Sequence, residues 1–214
     1  DHAQRLYDYV SNLWFMFATP VLSNGGTRRG LPISCFLNYV DDSREGITEH
    51  FTENAFLSSF GGGIGGTWSD VRSIGTKTSK GSESTGVMPF MKVVDAEMLA
   101  FSQGVTRRGS YASYLHISHP EIEEFLDVRK PTGGDTNRKC LNLHHGVVIS
   151  DSFMERIHNA GKIDNFDDSW DLVDPHTKQV VKTVSARALW VKLLLNRMET
   201  GEPYIMFENA VQNE

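Results

Sequence analysis

The residues best suited to chemistry flank a single apolar segment. Cys35 opens the run 36–40, and Asp41 and Asp42 close it. The run is rich in β-forming residues and starts after Pro32, which predicts a strand buried on both faces in a parallel sheet. Because a strand of about seven residues spans roughly 23 Å, the thiol and the carboxylates must serve two different places. Cys35 is a candidate for redox chemistry or, alternatively, a small buried hydrophobe. Asp42 is a candidate for binding hydroxyl groups.

Glycine-bearing segments are the second chemical feature. Residues 61–66 match the spacing G-x-G-x-x-G, but a dinucleotide-binding turn must follow a strand and open a helix. Here it follows a predicted helix, so we favour a close approach of another group to the backbone. The polar loop 73–86 is long enough to indicate function or disorder. The loop 102–109 places two arginines beside glycine, which is typical of a phosphate-facing loop or of a solvated basic turn.

Composition limits the class of protein. The 214 residues are 39% hydrophobic and 22% charged, with a formal net charge of -6. That balance argues against nonspecific nucleic-acid binding. We expect no membrane segment and no leader, and the two cysteines favour a reducing cytoplasmic location. The histidines at 116, 119, 144 and 145 lack a convincing set of partner ligands, so we predict no metal site.

The elements that position these residues are strands that alternate with helices along the sequence. This alternation predicts an α/β fold with parallel pairing. We predict strands at 33–40, 111–117, 141–150 and 203–207. We predict helices at 2–17, 45–60, 87–102 and 119–127, one capped by Asp151 and Ser152 that ends near Ala160, and one at about 184–199. Residues 161–183 are expected to be irregular.

One predicted helix carries an apolar seam of five residues. The seam consists of Val87, Met91, Val94, Met98 and Phe101, spaced by four and three residues in turn. Such a seam suits a single partner helix, as in a coiled coil. Ordinary packing in the chain's own core is the alternative.

With these residues identified, the chain resembles the large, catalytic subunit of ribonucleotide reductases, most closely the aerobic class I type. The matching segments follow the family's order. They are Ala-Thr-Pro at 18–20, Ser-Cys at 34–35, Asp-Asp-Ser at 41–43, Gly-Gly-Ile-Gly at 62–65, Val-Arg at 71–72, residues 86–90, Ser-Gln-Gly at 102–104 with Arg107, Glu-Glu-Phe-Leu at 123–126 and Gly-Glu-Pro-Tyr at 201–204.

The resemblance implies the first half of a ten-stranded α/β barrel, with about five strands and their flanking helices. Residues 1–30 would form an N-terminal helix and a substrate-site loop. Residues 31–214 would form the half-barrel with the effector site. The asparagine, cysteine and glutamate of the family's finger loop are not matched in this sequence. The chain by itself is therefore expected to reduce no ribonucleotide.

The resemblance also assigns roles to single residues. Cys35 would be one of two thiols that reduce the ribose 2′ carbon, and we expect it to be unbonded to Cys140 and near the C-terminal side of the sheet. The substrate-site residues would be Thr19, Ser34, Gly63 and Arg107. The residues that bind the deoxynucleotide effector would be Asp42, Ser43, Arg72, Thr78 in the first specificity loop (73–84), and Gln103 in the second.

The implied ligands and partners follow from the same resemblance. We expect dNTP or ATP effectors accompanied by Mg²⁺, a ribonucleoside diphosphate substrate, and no cofactor held directly by this segment. The radical source would lie elsewhere, in a small subunit or in adenosylcobalamin. A second copy would pair through helices 45–60 and 87–102, and the C-terminal half of the large subunit would complete the barrel. The alternatives are a non-catalytic deoxynucleotide-binding regulatory module and a separately encoded half.

Overall fold

The computed structural model describes residues 1–28, 31–101 and 109–212. Its strands are β1 (Cys35–Tyr39), β2 (Gly63–Thr67), β3 (Ser110–His116), β4 (His144–Ile149), β5 (Ser169–Val173), β6 (Val180–Ser185) and β7 (Tyr204–Phe207). Its α-helices are α1 (His2–Ser11), α2 (Thr19–Asn24), α3 (Arg44–Ser59), α4 (Met88–Ala100), α5 (Ile122–Leu126), α6 (Asp151–Ala160), α7 (Ala186–Thr200) and α8 (Glu208–Gln212). A short 3₁₀ helix covers Thr136–Arg138.

Five strands form one parallel sheet in the order β1-β2-β3-β4-β7. Parallel neighbours require crossover connections, and the longer helices α3, α4, α6 and α7 all lie in such connections. The predicted α/β fold, with a five-stranded parallel portion of the barrel, is confirmed. Within the described ranges, no helix is long and apolar enough to cross a membrane.

Helix α3 packs against one face of the sheet. Tyr111 and Leu115 of β3 are buried on that face, and the Tyr111 hydroxyl lies 2.9 Å from Nε2 of His50 in α3. On the opposite face of β1, Leu37 is 87% exposed. The prediction that the first strand is buried on both faces is therefore wrong. β1 is an edge strand of the sheet. Its apolar residues alternate between an exposed face and a half-buried one.

Strand β2 is built largely from glycine because neighbouring side chains lie against it. A Cβ added at Gly66 would come within 1.9 Å of the Tyr111 hydroxyl oxygen. One added at Gly65 would come within 2.9 Å of Leu37. The close approach expected for this glycine segment is confirmed, and the approaching groups are the chain's own side chains. That β2 is a strand was not predicted.

The seam on α4 packs inside the chain. Val87, Met91, Val94 and Met98 are buried in the core, whereas Phe101 is exposed. Most of the seam thus has no surface to offer a second subunit. The prediction that it packs against another copy is wrong, and the alternative of core packing is confirmed.

Two other predicted elements differ from the structure. Helix α1 ends at Ser11, and Leu13 takes a left-handed conformation with φ 59°. Pro20 lies in the first turn of α2 and so starts a helix, where a proline is well tolerated. Residues 161–183, expected to be irregular, contain β5 and the start of β6, which pair as an antiparallel hairpin.

Candidate functional site

A cleft lies beyond the carboxyl end of β1, between the start of α3 and the loop 73–87. Its volume is about 570 Å³, and its lining includes Asp42, Ser43, Arg72, Thr78 and Lys80. The first four of these are the effector-binding residues predicted from the resemblance within the described ranges. They come from three separate parts of the sequence, and parallel strand order brings them together.

Arg72 and Asp42 form an ion pair in the lining of this cleft. The Arg72 Nε lies 3.0 Å from each carboxylate oxygen of Asp42, and the Arg72 backbone N–H donates to the same carboxylate at 3.2 Å. The Nδ1 of His176, in the turn between β5 and β6, lies 3.2 Å from Asp42 Oδ2. The side chains of Arg72 and Asp42 are each 18% exposed. A carboxylate held in place but still accessible can accept a hydrogen bond from a ligand hydroxyl.

Ser43 begins α3 at the edge of the cleft. Its hydroxyl accepts a hydrogen bond from the backbone N–H of Gly46 at 2.9 Å, so Ser43 is the N-cap of α3. The positive end of the helix dipole favours anions at this point. Arg44 and Lys80 also line the cleft. The cleft thus offers cationic side chains and a helix amino end to a phosphate, beside the acidic side chains Glu45 and Glu83 in the same lining.

The loop 73–87 is folded back on itself as a narrow hairpin. Gly75 N–H donates to Ser84 O at 2.9 Å, and Ser84 N–H donates to Thr76 O at 2.8 Å. Nearer the tip, Thr78 N–H donates to Ser82 O at 2.7 Å. These bonds give a sequence with little apolar character a defined backbone, with Thr78 facing the cleft.

Two buried carboxylates fasten the ends of this loop. Asp174 accepts hydrogen bonds from Ser73 and Thr76 near its start. Glu121 accepts from the backbone N–H groups of Ile74 and Val87, one near each end. Burial alone would raise the pKa of Asp174, but hydrogen bonds from Ser73, Thr177 and Thr76 hold it well below its ordinary value. Burial raises the pKa of Glu121 despite its hydrogen bonds and the nearby Arg138.

The thiol lies at the other end of β1. Cys35 is exposed and opens the strand, so the expectation that it sits near the C-terminal side of the sheet is wrong. It pairs with Gly63 in the parallel register, and the Gly63 N–H donates to the Ser34 carbonyl. The Ser34 hydroxyl oxygen lies 3.8 Å from Cys35 Sγ. The predicted redox thiol and two predicted substrate-site residues, Ser34 and Gly63, therefore meet at the amino end of β1.

Within the described residues, Thr19 is the remaining predicted substrate-site residue. Thr19 is exposed in the first turn of α2, and no hydrogen bond recorded for the described residues joins it to Ser34 or Cys35. Gln103 and Arg107 lie outside the described residues.

Cys140 has a different character from Cys35. It is buried and unbonded, as expected, and burial raises the pKa of its thiol to about 12. A thiol that stays protonated and inaccessible is a poor nucleophile. Cys140 is therefore a core residue.

Sequence reasoning missed Asp174, His176 and Glu121. The Asp-Pro pair at 174–175 signals a turn, but nothing local shows that this turn reaches a loop a hundred positions earlier. The adjacent residues His144 and His145 each direct Nδ1 to the Glu202 carboxylate. Within the described ranges, no group of three His, Cys, Asp or Glu side chains is arranged to hold a metal ion.

Comparisons with known proteins agree with one another. A family model described as "Ribonucleotide reductase, barrel domain" matches residues 33–214, and one described as "Ribonucleotide reductase, all-alpha domain" matches residues 1–30. The large subunit of ribonucleoside-diphosphate reductase from Invertebrate iridescent virus 6 is 49% identical over 207 residues, covering 97% of this chain and 21% of that protein. The alpha subunit from Helicobacter pylori strain J99 is 32% identical over 231 residues, covering 97% of this chain and 28% of that protein.

A solved structure shows the same architecture. The class Id ribonucleotide reductase alpha subunit of Actinobacillus ureae superimposes with a TM-score of 0.72 and 29% sequence identity. The match covers 99% of this chain and 34% of that one. The chain thus spans between about a fifth and a third of the length of these relatives.

Proposed function

The chain belongs to the family of ribonucleotide reductase large subunits, and from that premise we propose that it carries the effector-binding site and one redox thiol of a ribonucleoside-diphosphate reductase. The observation that carries this proposal is the cleft in which Asp42, Ser43, Arg72 and Thr78 meet. We also propose the division into residues 1–30 and 31–214, and a cytoplasmic location.

The cleft suits a deoxynucleoside triphosphate. The Asp42 carboxylate would accept a hydrogen bond from the deoxyribose hydroxyl. Arg72, the amino end of α3 and Lys80 would take the phosphates, because charge-assisted hydrogen bonds are the strong ones for such groups. Mg²⁺ would accompany the triphosphate. Thr78 and, from the second loop, Gln103 would contact the remainder of the nucleotide.

The amino end of β1 suits the reducing half of the reaction. Replacing the ribose 2′ hydroxyl by hydrogen releases water and takes two electrons, which two thiols supply as they close into a disulfide. Cys35 would be one thiol, and the buried Cys140 is not the other. Ser34, Gly63, Thr19 and Arg107 would hold the ribonucleoside diphosphate. The second thiol and the radical would come from the remainder of the large subunit and from a small subunit.

A second copy of the chain would pair through the outer surfaces of α3 and α4. These adjacent helices expose Phe56, Val93 and Leu99, and Phe60, directly after α3, is exposed as well. They are the two helices that the resemblance assigns to a dimer. The surface proposed here differs from the buried seam. Light scattering of Phe60→Asp checks it: the variant should be a monomer at concentrations where the wild type is dimeric.

The effector site is tested by titrating the protein with each of the four deoxynucleoside triphosphates in a calorimeter. We expect at least one to bind, and Asp42→Asn to weaken that binding. Asp171→Asn, a change of an exposed carboxylate on the β5–β6 hairpin, is the matched control and should bind as the wild type does. If no deoxynucleotide binds at millimolar concentration, the proposed site is wrong.

A further inference from the structure

The loop 73–87 is held at its ends by two carboxylates from outside the predicted site. We propose that Asp174 and Glu121 are positioning residues that fix this loop in the shape that receives the effector nucleotide. The proposal rests on the proposed function, because the loop's tip lines the proposed effector cleft. Glu121 and Asp174 lie 34 or more positions after the loop in the sequence and are not among the predicted effector-site residues.

The two carboxylate oxygens of Asp174 accept hydrogen bonds from two different segments. Oδ1 accepts from the backbone N–H groups of His176 and Thr177 at 3.0 and 2.8 Å, which shapes the turn to which Asp174 belongs. Oδ2 instead faces the loop: it accepts from the Ser73 N–H at 2.8 Å, the Ser73 hydroxyl at 2.7 Å and the Thr76 hydroxyl at 2.8 Å. The residue is 1% exposed. A buried carboxylate with this many donors fixes whatever supplies them.

Glu121 closes the loop from the other side. Its Oε2 accepts from the N–H of Ile74 at 3.2 Å and from that of Val87 at 3.0 Å, so one oxygen joins the two ends. Arg138 Nη2 lies 2.9 Å from Oε1 and compensates the buried charge. Gly86 has φ 79°, and a Cβ there would fall 2.3 Å from Oε2. The glycine therefore allows the carboxylate to come this close.

The turn that carries Asp174 also reaches the proposed ribose-binding carboxylate. His176 Nδ1 lies 3.2 Å from Asp42 Oδ2. The turn between β5 and β6 thus contacts both the first residues of the loop 73–87 and Asp42 in the lining of the cleft. Between the two fastened ends, the residues at the loop's tip are exposed or half-buried.

This arrangement lowers the entropic cost of binding. A loop already ordered at both ends loses less conformational freedom when a nucleotide orders its tip. Without the carboxylates, the chain would have to order the whole loop on binding. The expected signature is weaker nucleotide binding together with local opening of the loop.

Limited trypsin digestion measures that opening, because Lys77 and Lys80 lie in the exposed part of the loop. Cleavage after Lys162, in an exposed turn elsewhere, reports the rest of the chain. In Asp174→Asn, we expect cleavage after Lys77 and Lys80 to accelerate about tenfold, the factor that follows from losing one hydrogen bond to a charged group. Cleavage after Lys162 should not change.

Thymidine triphosphate with Mg²⁺ is the nucleotide probe, and deoxyadenosine triphosphate is the second. We expect Asp174→Asn and Glu121→Gln to weaken binding of the tighter probe by about tenfold, and saturating nucleotide to slow cleavage of the loop again. Asp171→Asn is the matched control, because that exposed carboxylate on the same hairpin contacts the Thr183 hydroxyl instead of the loop. It should leave cleavage and binding unchanged.

A variant made on the loop side keeps the test valid if Asp174→Asn does not fold. Ser73→Ala combined with Thr76→Val removes two hydroxyl donors to Oδ2 and leaves the β5–β6 turn intact. It should change cleavage and binding in the same direction, by a smaller factor.

Three results would decide against the proposal or its premise. Unchanged loop cleavage in the folded variants would overturn it. So would cleavage that rises equally after Lys80 and Lys162, because that indicates a general loss of stability. Faster cleavage confined to the loop, in a protein whose wild type binds neither nucleotide, would overturn the proposed effector site while supporting the role of both carboxylates in holding the loop.

Discussion

Arg72→Ala removes the guanidinium that both contacts the Asp42 carboxylate and lines the proposed effector cleft. If Arg72 takes a phosphate of the nucleotide, the variant loses at least one charge-assisted hydrogen bond. Such a bond contributes about 1.5–3 kcal/mol. At about 1.4 kcal/mol for each factor of ten, the affinity for the preferred deoxynucleotide should fall by about 10- to 150-fold.

The structure separates this effect from a loss of stability. Two contacts of the Asp42 carboxylate do not depend on the Arg72 side chain: the hydrogen bond from the backbone N–H of residue 72, which is 3.2 Å in the wild type, and the contact with His176. The lost ion pair joins partly exposed side chains, and such pairs contribute only about 0–1 kcal/mol. The free energy of unfolding should therefore change by about 1 kcal/mol or less. A carboxylate without its arginine would also repel the triphosphate, which adds to the loss of affinity.

Calorimetric titration with each deoxynucleoside triphosphate, paired with urea unfolding, measures both quantities. Arg156→Ala is the matched control, because it removes the same charge from an exposed site where the guanidinium contacts only the Asp167 carbonyl among the recorded hydrogen bonds. It should bind nucleotide as the wild type does. Equal weakening in both variants would show that net charge alone is responsible. Unchanged binding by Arg72→Ala would refute the assignment of Arg72.

Three further outcomes are expected. One equivalent of a thiol reagent should react rapidly with the native protein at Cys35, and the buried Cys140, whose pKa burial raises to about 12, should react only after unfolding; Cys35→Ala should abolish the rapid phase. Met91→Ala should lower the free energy of unfolding by about 2–5 kcal/mol, because it leaves a cavity in the core, whereas Val93→Ala on the exposed side of the same helix should change it little. Burial raises the pKa of Glu97 in the folded protein to about 7, from an ordinary value of 4.5. The stability that comes from the protonated carboxyl is therefore fully present below pH 4.5 and is lost as the pH rises through 7. Urea unfolding should show Glu97→Gln to be more stable than the wild type at pH 8 and equal to it at pH 4.5.

The sequence predicted the parallel α/β fold because its strands are apolar runs bounded by turn residues. It did not predict β2, since glycine has little tendency to form strands and its place in the sheet depends on Tyr111 and Leu37 from the neighbouring strands. The β5–β6 hairpin was missed for a related reason. Strand β5 alternates polar and apolar residues only from Ser169 to Leu172, and β6 opens with two adjacent valines, so neither strand gives a long periodic signal.

The seam on α4 shows a different limit. Helical spacing identifies which residues share a stripe, but it carries no information on what covers that stripe. In the structure the sheet and the neighbouring elements cover it. Similarly, the residues of the effector cleft could be named from the family's motifs. The contacts of Asp174 and Glu121 with the loop 73–87 could not, because they join segments that are distant in sequence and that the fold brings together.

The positions of the two sites on β1 bear on how they could act together. Cys35 opens the strand and Asp42 follows its end, so both are fixed to one element that is hydrogen-bonded to β2 along its whole length. A strand in such a ladder cannot slide by one residue without turning every side chain to the other face. Binding at Asp42 therefore cannot reach the thiol by moving β1 along its axis. Coupling between the two proposed sites would need an element with two arrangements. The loop 73–87 is hydrogen-bonded near its ends to Asp174 and Glu121, and its tip is exposed or half-buried. If the proposed effector site binds a nucleotide, the contacts of Asp174 and Glu121 would confine the response of this loop to its tip and to the residues that pack against the tip.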